Sequence, residues 1–163
     1  MRILGIDPGL AIMGYGVIDA NGSRISYVNH GCVYTTPDMT MTDRLEILYK
    51  GTLELIDTFK PDVVSIEELF FAKNVKTGIA VAHARGVVLL TCIKECGRIY
   101  EYTPLQIKQA LTGYGRAEKV QIQAMVKTFL NLKAVPKPDD AADALAVALT
   151  HAQTNKLGGL FSI

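Results

Sequence analysis

The apolar residues form short runs in the first third of the chain and helix-spaced patterns through most of the rest. Short runs bounded by turn residues predict strands, whereas apolar positions three and four residues apart predict helices. The predicted strands cover residues 2–7, 14–20, 24–36, 62–69 and 98–102. The predicted helices cover residues 40–60, 75–96, 104–111, 118–132 and 138–153.

The order of these elements predicts an α/β fold. The Asn21-Gly22 turn favours a hairpin, so the three N-terminal strands should be antiparallel. A helix connects the third strand to the fourth, and such crossovers join strands that run parallel within one sheet. The prediction is a mixed sheet with helices on both faces, formed as a single domain by residues 1–155 and followed by a short tail at 156–163.

Charge is divided unevenly along the chain, although the net charge is only +1. Residues 1–70 contain five basic and ten acidic residues, whereas residues 71–163 contain twelve basic and six acidic ones. A chain polarised in this way can present a basic face, and nucleic acid is the partner that such a face favours.

Composition argues against membrane and disulfide-rich classes of protein. No signal peptide is recognisable, and the apolar stretch 79–93 is too short to span a bilayer and contains His83 and Arg85. The three cysteines lack the number and spacing of a disulfide framework or a zinc site. We therefore expect a soluble, cytoplasmic protein with free thiols and no membrane partner.

Acidic residues stand where two predicted strands end and where one helix begins. Asp7 closes the first strand, and the pair Glu67-Glu68 closes the fourth. Alternation places Glu67 and Glu68 on opposite faces of the sheet and does not say which of them faces a site. Asp140 and Asp143, three residues apart, fall on one face of the last helix. Because ligand sites of α/β sheets gather at the carboxyl ends of strands, these acids can converge.

Each acid also has a structural interpretation. An aspartate before Pro-Gly is common in turns, and acids in a first helical turn are favoured by the helix dipole. Asp143 fits that explanation less well, because an almost wholly apolar run follows it. Carboxylates gathered at strand ends suit hard divalent cations such as Mg²⁺. Two such ions roughly 4 Å apart support phosphodiester cleavage.

At these positions the sequence closely resembles the bacterial RuvC family of Holliday-junction resolvases. The matching motifs occur in the family's order and cover nearly the whole chain. They are Gly5-Ile6-Asp7-Pro8-Gly9, Ile66-Glu67-Glu68-Leu69-Phe70, Ala84-Arg85-Gly86, Tyr102-Thr103-Pro104 with Lys108-Gln109, Ala117-Glu118-Lys119, and Asp140-Ala141-Ala142-Asp143-Ala144-Leu145-Ala146.

The resemblance implies an RNase H-like fold and an endonuclease that makes paired symmetric nicks in four-way DNA junctions, leaving ligatable 5′-phosphate ends. It implies catalytic metal ligands at Asp7, Glu67, Asp140 and Asp143, and so selects Glu67 rather than Glu68. The implied cofactor is Mg²⁺, two ions per subunit, for which Mn²⁺ can substitute.

Several basic and aromatic residues are implied as well. Lys108 and Lys119 match family positions beside the active site, where either could hold the scissile phosphate or stabilise its developing charge. DNA contacts are expected at Phe70, Lys73, Lys76 and Arg116. For Phe70 the alternative is a core position, which is the usual place of a phenylalanine.

Two glycines of the second strand and one histidine of the last helix can each be interpreted in two ways. Gly14 and Gly16 could let the backbone approach DNA closely, or they could ease a twisted strand. His151 has no metal-ligand spacing and is interpreted as structural, although it follows the site helix and could lie near the metals.

The helix at 75–96 predicts a homodimer. Its stretch 79–93 is apolar nearly all round, so one face meets the sheet and the rest needs a second cover. We expect Val81, Val88 and Leu89 at that interface, and in the RuvC family the equivalent helix pairs across the dimer. A central helix buried within one subunit is the alternative. The resemblance also implies a RuvA–RuvB branch-migration complex as a partner.

Three other functions share some of these features. The first motif resembles the phosphate loop of actin-like ATPases, but those proteins need a second lobe that 163 residues cannot hold. A non-catalytic junction-binding module would not need all four acids. Another RNase H-like nuclease acting on RNA would be distinguished by substrate competition.

Overall fold

The computed structural model describes residues 1–68 and 75–154. Its strands are β1 (Arg2–Asp7), β2 (Ile12–Asn21), β3 (Arg24–Tyr34), β4 (Val63–Glu67) and β5 (Ile99–Tyr102). Its helices are α1 (Met41–Phe59), α2 (Val75–Glu95), α3 (Pro104–Thr112), α4 (Lys119–Phe129) and α5 (Asp139–Thr154). Every predicted element is confirmed, with ends that differ by at most three residues. The predicted tail at 156–163 lies outside the described residues.

The strands form one sheet in the order β3-β2-β1-β4-β5. The β1–β2 and β2–β3 pairs are antiparallel, and the β1–β4 and β4–β5 pairs are parallel. The predicted mixed sheet and its three antiparallel N-terminal strands are therefore confirmed. The parallel half matters for function, because it brings the carboxyl ends of β1 and β4 to the same edge of the sheet.

Alternation along the strands divides the core between two faces of the sheet, and helices cover both, as predicted. Ile3 and Val63 pack with residues of α3, α4 and α5, on what we call the α5 face. Leu4 and Val64 pack with residues of α1 and α2, on the α2 face. Since Asp7 lies an even number of residues from Ile3, its side chain falls on the α5 face.

Helix α5 lies directly on the backbone of β1 and β2. A Cβ atom built at Gly5 would lie 2.0 Å from the carbonyl oxygen of Ala144, and one at Gly14 would lie 2.0 Å from that of Asp140. At Gly16 it would lie 2.6 Å from a leucine side chain of α5. Only residues without a side chain permit this approach. Gly14 and Gly16 therefore accommodate α5, which is neither of the two interpretations that the sequence suggested for them.

The inner side of α2 is buried within the subunit. Val88 is 1% exposed and packs with Ala84 and Cys92 against the sheet. Its predicted place at a dimer interface is therefore wrong. A helix that is apolar all round gives no periodic signal to show which side meets the sheet, and the sequence could not supply one. Val81 and Leu89 are partly buried.

The outer side of α2 is exposed and apolar. Ile79, Leu90 and Ile93 are each more than half exposed. By length and composition, α2 is the one helix in the described ranges that could cross a membrane. Because its inner side packs on the sheet and beside α1, we interpret it as a helix of the globular fold with one uncovered apolar side.

His151 belongs to the core. Its side chain is 1% exposed, and its Nδ1 atom lies 2.7 Å from the hydroxyl of Tyr102. The ring also packs on that of Tyr100, with 4.4 Å between centroids. Burial lowers the pKa of His151 to about 4, so the ring is neutral at pH 7. It lies about three helical turns beyond Asp140 along α5, which supports the structural interpretation.

We expect Gly5→Ala to destabilise the protein by about 3 kcal/mol or more, because the added methyl group would meet backbone atoms of α5 that cannot rotate away. Ser65→Ala is the matched control, since Ser65 is the β4 residue paired with Gly5, is fully buried, and has a hydroxyl without a hydrogen-bond partner among the described residues. That variant should change the free energy of unfolding by less than about 1 kcal/mol. Urea unfolding measures both, and similar small losses in the two variants would contradict the packing argument.

Candidate active site

Two acids reach the site from the ends of neighbouring strands. Asp7 is the last residue of β1, and Glu67 is the last residue of β4. The two strands are parallel neighbours, in which Ile6 is paired with Ile66, so Asp7 and Glu67 leave the sheet side by side. Both lie on the α5 face, because residues two apart along a strand share a face.

Two more acids reach the site from the first turns of α5. Asp140 lies in the first turn, and Asp143 follows three residues later on the same side of the helix. Because Gly14 is paired with Asp7 in the sheet and has no side chain, the backbone of Asp140 can descend onto that strand pair. The glycine thereby brings the start of α5 to the end of β1.

The pKa of Asp7 shows how closely the acids gather. Burial raises this pKa to about 8, and the negative charges of Glu67, Asp143 and Asp140 add to the rise in that order. The positive charge of Lys119 opposes it weakly. A carboxyl group that is costly to ionise beside three others indicates a site that is short of positive charge.

Glu67 and Asp143 share this environment. Burial and the charge of Asp143 raise the pKa of Glu67 to about 7, and the charges of Lys119 and Lys108 partly offset the rise. Burial also raises the pKa of Asp143, although its hydrogen bond from Lys119 lowers it. Lys119 therefore acts on Glu67 and Asp143, and Lys108 acts on Glu67. The structure brings together the four acids and the two lysines named from the sequence.

The structure also separates Glu67 from its neighbour. Glu68 falls on the opposite, α2 face. Burial lowers the pKa of Arg85, and the negative charge of Glu68 offsets part of that fall. Arg85 forms an ion pair with Glu101 of β5 on the same face. Arg85 of α2 therefore supplies positive charge to the acids of the α2 face. Glu67, on the α5 face, has no such arginine beside it among the described residues and stays with the acidic cluster.

A cleft between the helices of the α5 face opens beside the acids. It has a volume of about 230 Å³ and is lined by Glu67, Pro104, Ile107, Lys108, Lys119, Ile122, Asp143 and Ala146. The Lys119 Nζ atom lies 3.0 Å from Oδ2 of Asp143 and 3.5 Å from Oδ2 of Asp139. The cleft thus combines carboxylates, two ammonium groups and an apolar floor.

Helix caps fix where the two lysines stand. Thr103 caps α3 through its hydroxyl, which accepts from the backbone N–H of Gln106, while Gln106 accepts in return from the N–H of Thr103. This sets Lys108 in the second turn of α3. The side chain of Gln121 accepts from the N–H of Glu118 at 2.7 Å, and Lys119 is the first residue of α4.

The remaining predicted DNA contacts are placed less closely. Arg116 is exposed in the segment between α3 and α4, and Lys76 is exposed at the start of α2. Phe70 and Lys73 lie outside the described residues. Sequence reasoning missed Asp139 as part of the site, because the helix dipole alone explains an acid in a first helical turn. The available signal was its spacing of four residues from Asp143, which puts both on one side of α5.

Within residues 1–68 and 75–154, no three Asp, Glu, His or Cys side chains stand in an arrangement that could hold a metal ion. The acids lie close enough for their charges to raise the pKa of Asp7, and one oxygen of Asp143 accepts a hydrogen bond from Lys119. The donor chemistry nevertheless fits a hard divalent cation, because every acid offers carboxylate oxygens and their buried negative charge is not balanced.

Comparison with known sequences gives a consistent result. The sequence pattern of the family described as crossover junction endodeoxyribonuclease RuvC matches residues 3–151. The RuvC protein of Ruminiclostridium cellulolyticum is 53% identical over 160 residues, which cover 98% of this chain and 96% of that protein. The RuvC protein of Clostridioides difficile is 55% identical over 157 residues, which cover 96% of this chain and 93% of that protein.

Comparison with solved structures agrees. Thermus thermophilus RuvC in complex with Holliday junction substrate matches with a TM-score of 0.94 and 35% identity, covering 100% of this chain and 99% of that one. The expected RNase H-like fold is thereby confirmed.

The raised pKa of Asp7 predicts how the metal-free protein responds to pH. An unfolded aspartate titrates near 3.8 and folded Asp7 at about 8, so its ionisation removes stability progressively as the pH rises between these values. We expect Asp7→Asn in EDTA to melt at a higher temperature than wild type at pH 8, with a gap that shrinks as the pH approaches 4. Added Mg²⁺ should raise the melting temperature of the wild type much more than that of the variant. A variant less stable than wild type at pH 8 would contradict the analysis.

Proposed function

Because the chain belongs to the RuvC family of crossover junction endodeoxyribonucleases, we propose that its acidic cluster cleaves phosphodiester bonds in four-way DNA junctions. The protein is a Holliday-junction resolvase and a metal-dependent nuclease. One observation carries the placement of its active site. Asp7, Glu67 and Asp143 meet at one edge of the sheet beside Lys108 and Lys119.

Asp7, Glu67, Asp140 and Asp143 would hold two Mg²⁺ ions per subunit, which Mn²⁺ could replace. When bound, such ions lower the pKa of the attacking water and offset the charge on the leaving oxygen. The support for this assignment is the unbalanced negative charge that raises the pKa of Asp7 to about 8 and that of Glu67 to about 7. Protons held there in the metal-free protein would be released on binding.

The two lysines would act on the phosphate. Lys108 and Lys119 line the cleft that borders Glu67 and Asp143, so both ammonium groups lie beside the acids. There they would bind non-bridging oxygens of the scissile phosphate and stabilise the additional negative charge of the transition state. Attack of water in line with the leaving oxygen would leave 5′-phosphate and 3′-hydroxyl ends that a ligase can seal.

The DNA contacts would extend from this cleft. Arg116 is exposed on the segment between α3 and α4, which carry the two lysines, so it suits a phosphate further along the same strand. Lys76 is exposed at the start of α2 and suits a similar role. Phe70 would stack on a base at the junction centre, and Lys73 would contact the backbone nearby. For Phe70 the support is the family resemblance, and for Lys73 it is the place of a basic residue beside two aromatic ones in the sequence.

The exposed side of α2 would form the homodimer. Ile79, His83, Gly86, Leu90 and Ile93 follow one another at spacings of four and three residues, which is the seam of a paired helix, and all five are exposed. A Cβ built at Gly86 meets nothing within 4 Å, so the middle of this seam is open to a partner helix. Val81 and Leu89 would contribute from its flanks.

The two-fold symmetry of the proposed dimer matches that of its substrate. A four-way junction has two-fold symmetry, so a two-fold dimer can place one active site on each of two like strands. The paired nicks then fall at equivalent positions. We also propose a RuvA–RuvB complex as partner and a cytoplasmic location, on the strength of the family.

The function is tested with a synthetic mobile junction and a linear duplex of matched sequence, each with and without Mg²⁺. Wild type should nick the junction, only with Mg²⁺, and leave the duplex intact. Asp7→Asn and Glu67→Gln should bind the junction in gel shift but nick it about 10³-fold more slowly.

Glu68→Gln is the matched control for Glu67→Gln, since the two residues are neighbours that face opposite sides of the sheet. It should nick within a few-fold of the wild-type rate. Normal nicking by folded Glu67→Gln, or equal losses in the two glutamine variants, would contradict the site.

Leu90→Glu should convert the dimer into monomers, because it would bury an unpaired charge within the seam. Val120→Glu is the control, since Val120 is 72% exposed on α4 and the same change there should leave a dimer. Sedimentation at micromolar concentration measures both. A monomeric wild type, or a dimeric Leu90→Glu protein, would exclude this interface.

A further inference from the structure

Lys119 is shared between two acids, only one of which is a proposed metal ligand. Its Nζ atom lies 3.0 Å from Asp143 Oδ2 and 3.5 Å from Asp139 Oδ2. The acids are four residues apart, one turn along α5, so the ammonium group bridges the start of that helix. Although partial burial lowers the pKa of Lys119, the hydrogen bond and charge of Asp143 and the weaker effects of Asp139 raise it overall.

Asp139 is held by the elements around it. Its Oδ1 atom accepts from Nε2 of Gln123 at 3.1 Å and lies 3.3 Å from Nζ of Lys137. Gln123 follows Lys119 by one turn on α4, so a single side of α4 presents both groups to the same carboxylate. Asp139 is therefore oriented from α4 and not only favoured by the start of its own helix.

The contacts of Lys119 with Asp143 and with Asp139 should change differently when metal binds. An oxygen of Asp143 that ligates a cation no longer has its full negative charge for an ammonium group. Asp139 projects from the same side of α5, is half exposed, and stands outside the group of four acids. When Asp143 is occupied, Asp139 is the carboxylate that still holds Lys119 near the cleft.

We infer that Asp139 is a positioning residue, which keeps Lys119 at the edge of the site once Asp143 binds metal. This inference rests on the proposed function, because it assumes that Asp143 is a ligand and that Lys119 contacts the phosphate. The alternative role of Asp139 is a general one, in which its charge stabilises the start of α5.

The test is a double-mutant cycle of Asp139→Asn and Lys119→Ala, read by single-turnover cleavage of the junction at saturating Mg²⁺. Asp139→Asn alone should slow cleavage about five-fold without changing the affinity for the junction. In the Lys119→Ala background the same change should have no further effect. Asp139→Glu, which keeps the carboxylate, should restore part of the rate. Lys137→Ala removes the other cation at Asp139 and should cleave at the wild-type rate.

A second readout needs neither DNA nor activity. The rise in melting temperature with Mg²⁺ reports the affinity for the metal, and Asp139→Asn should weaken that affinity about two-fold, because Lys119 then competes for Asp143 alone. If this effect acts through Lys119, it should disappear in the Lys119→Ala background. If it persists undiminished there, the charge of Asp139 attracts the metal directly and the inference is wrong.

The failure of this inference can be told apart from the failure of the proposed function. Wild-type cleavage by Asp139→Asn, or an equal loss with and without Lys119, would exclude the positioning role and leave the active site intact. A wild-type protein that does not nick the junction in Mg²⁺ would instead exclude the function itself.

Discussion

The backbone of α5 rests on the backbone of β1 and β2, and the meeting of all four acids in one site depends on that contact. Gly5 and Gly14 leave the space into which the helix descends, and a methyl group at either would meet a carbonyl oxygen of α5. Asp140 and Asp143 are thereby brought to the end of β1, while the parallel pairing of β1 and β4 brings Glu67 beside Asp7. A looser helix would leave two separate pairs of acids and no common site.

This close packing has an electrostatic cost that the fold reduces but does not remove. Burial and mutual repulsion raise the pKa of Asp7 and of Glu67, so the metal-free site resists full ionisation. Lys119 supplies one positive charge by its hydrogen bond to Asp143. Charge repulsion of this kind is tolerated where function requires it, and a bound cation relieves it.

Local patterns predicted nearly all of the fold, whereas tertiary contacts decided what the sequence left open. The strands, the helices and the two acids of α5 follow from periodicity, turns and caps. Alternation left Glu67 and Glu68 on opposite faces, and the choice of Glu67 follows from which face α5 covers. Because α2 is apolar all round, its sequence does not show which side of the helix meets the sheet. Val88 was therefore predicted on the dimer side, whereas it is buried against the sheet. Gly14 and Gly16 indicated a close approach, but only the folded chain shows that α5 makes it.

The proposed catalytic site and the proposed dimer contact lie on opposite faces of the sheet. The acids lie on the α5 face, and the open seam of α2 lies beyond the other face, so in the proposed dimer each sheet stands between a cutting site and the two-fold axis. Protein interiors are close-packed and hardly compressible, so the thickness of the sheet and of the helix beside it varies little. The distance between the two cuts then depends mainly on how the two α2 helices pack at the seam. Residues of the seam can change that distance without altering any group that takes part in the chemistry.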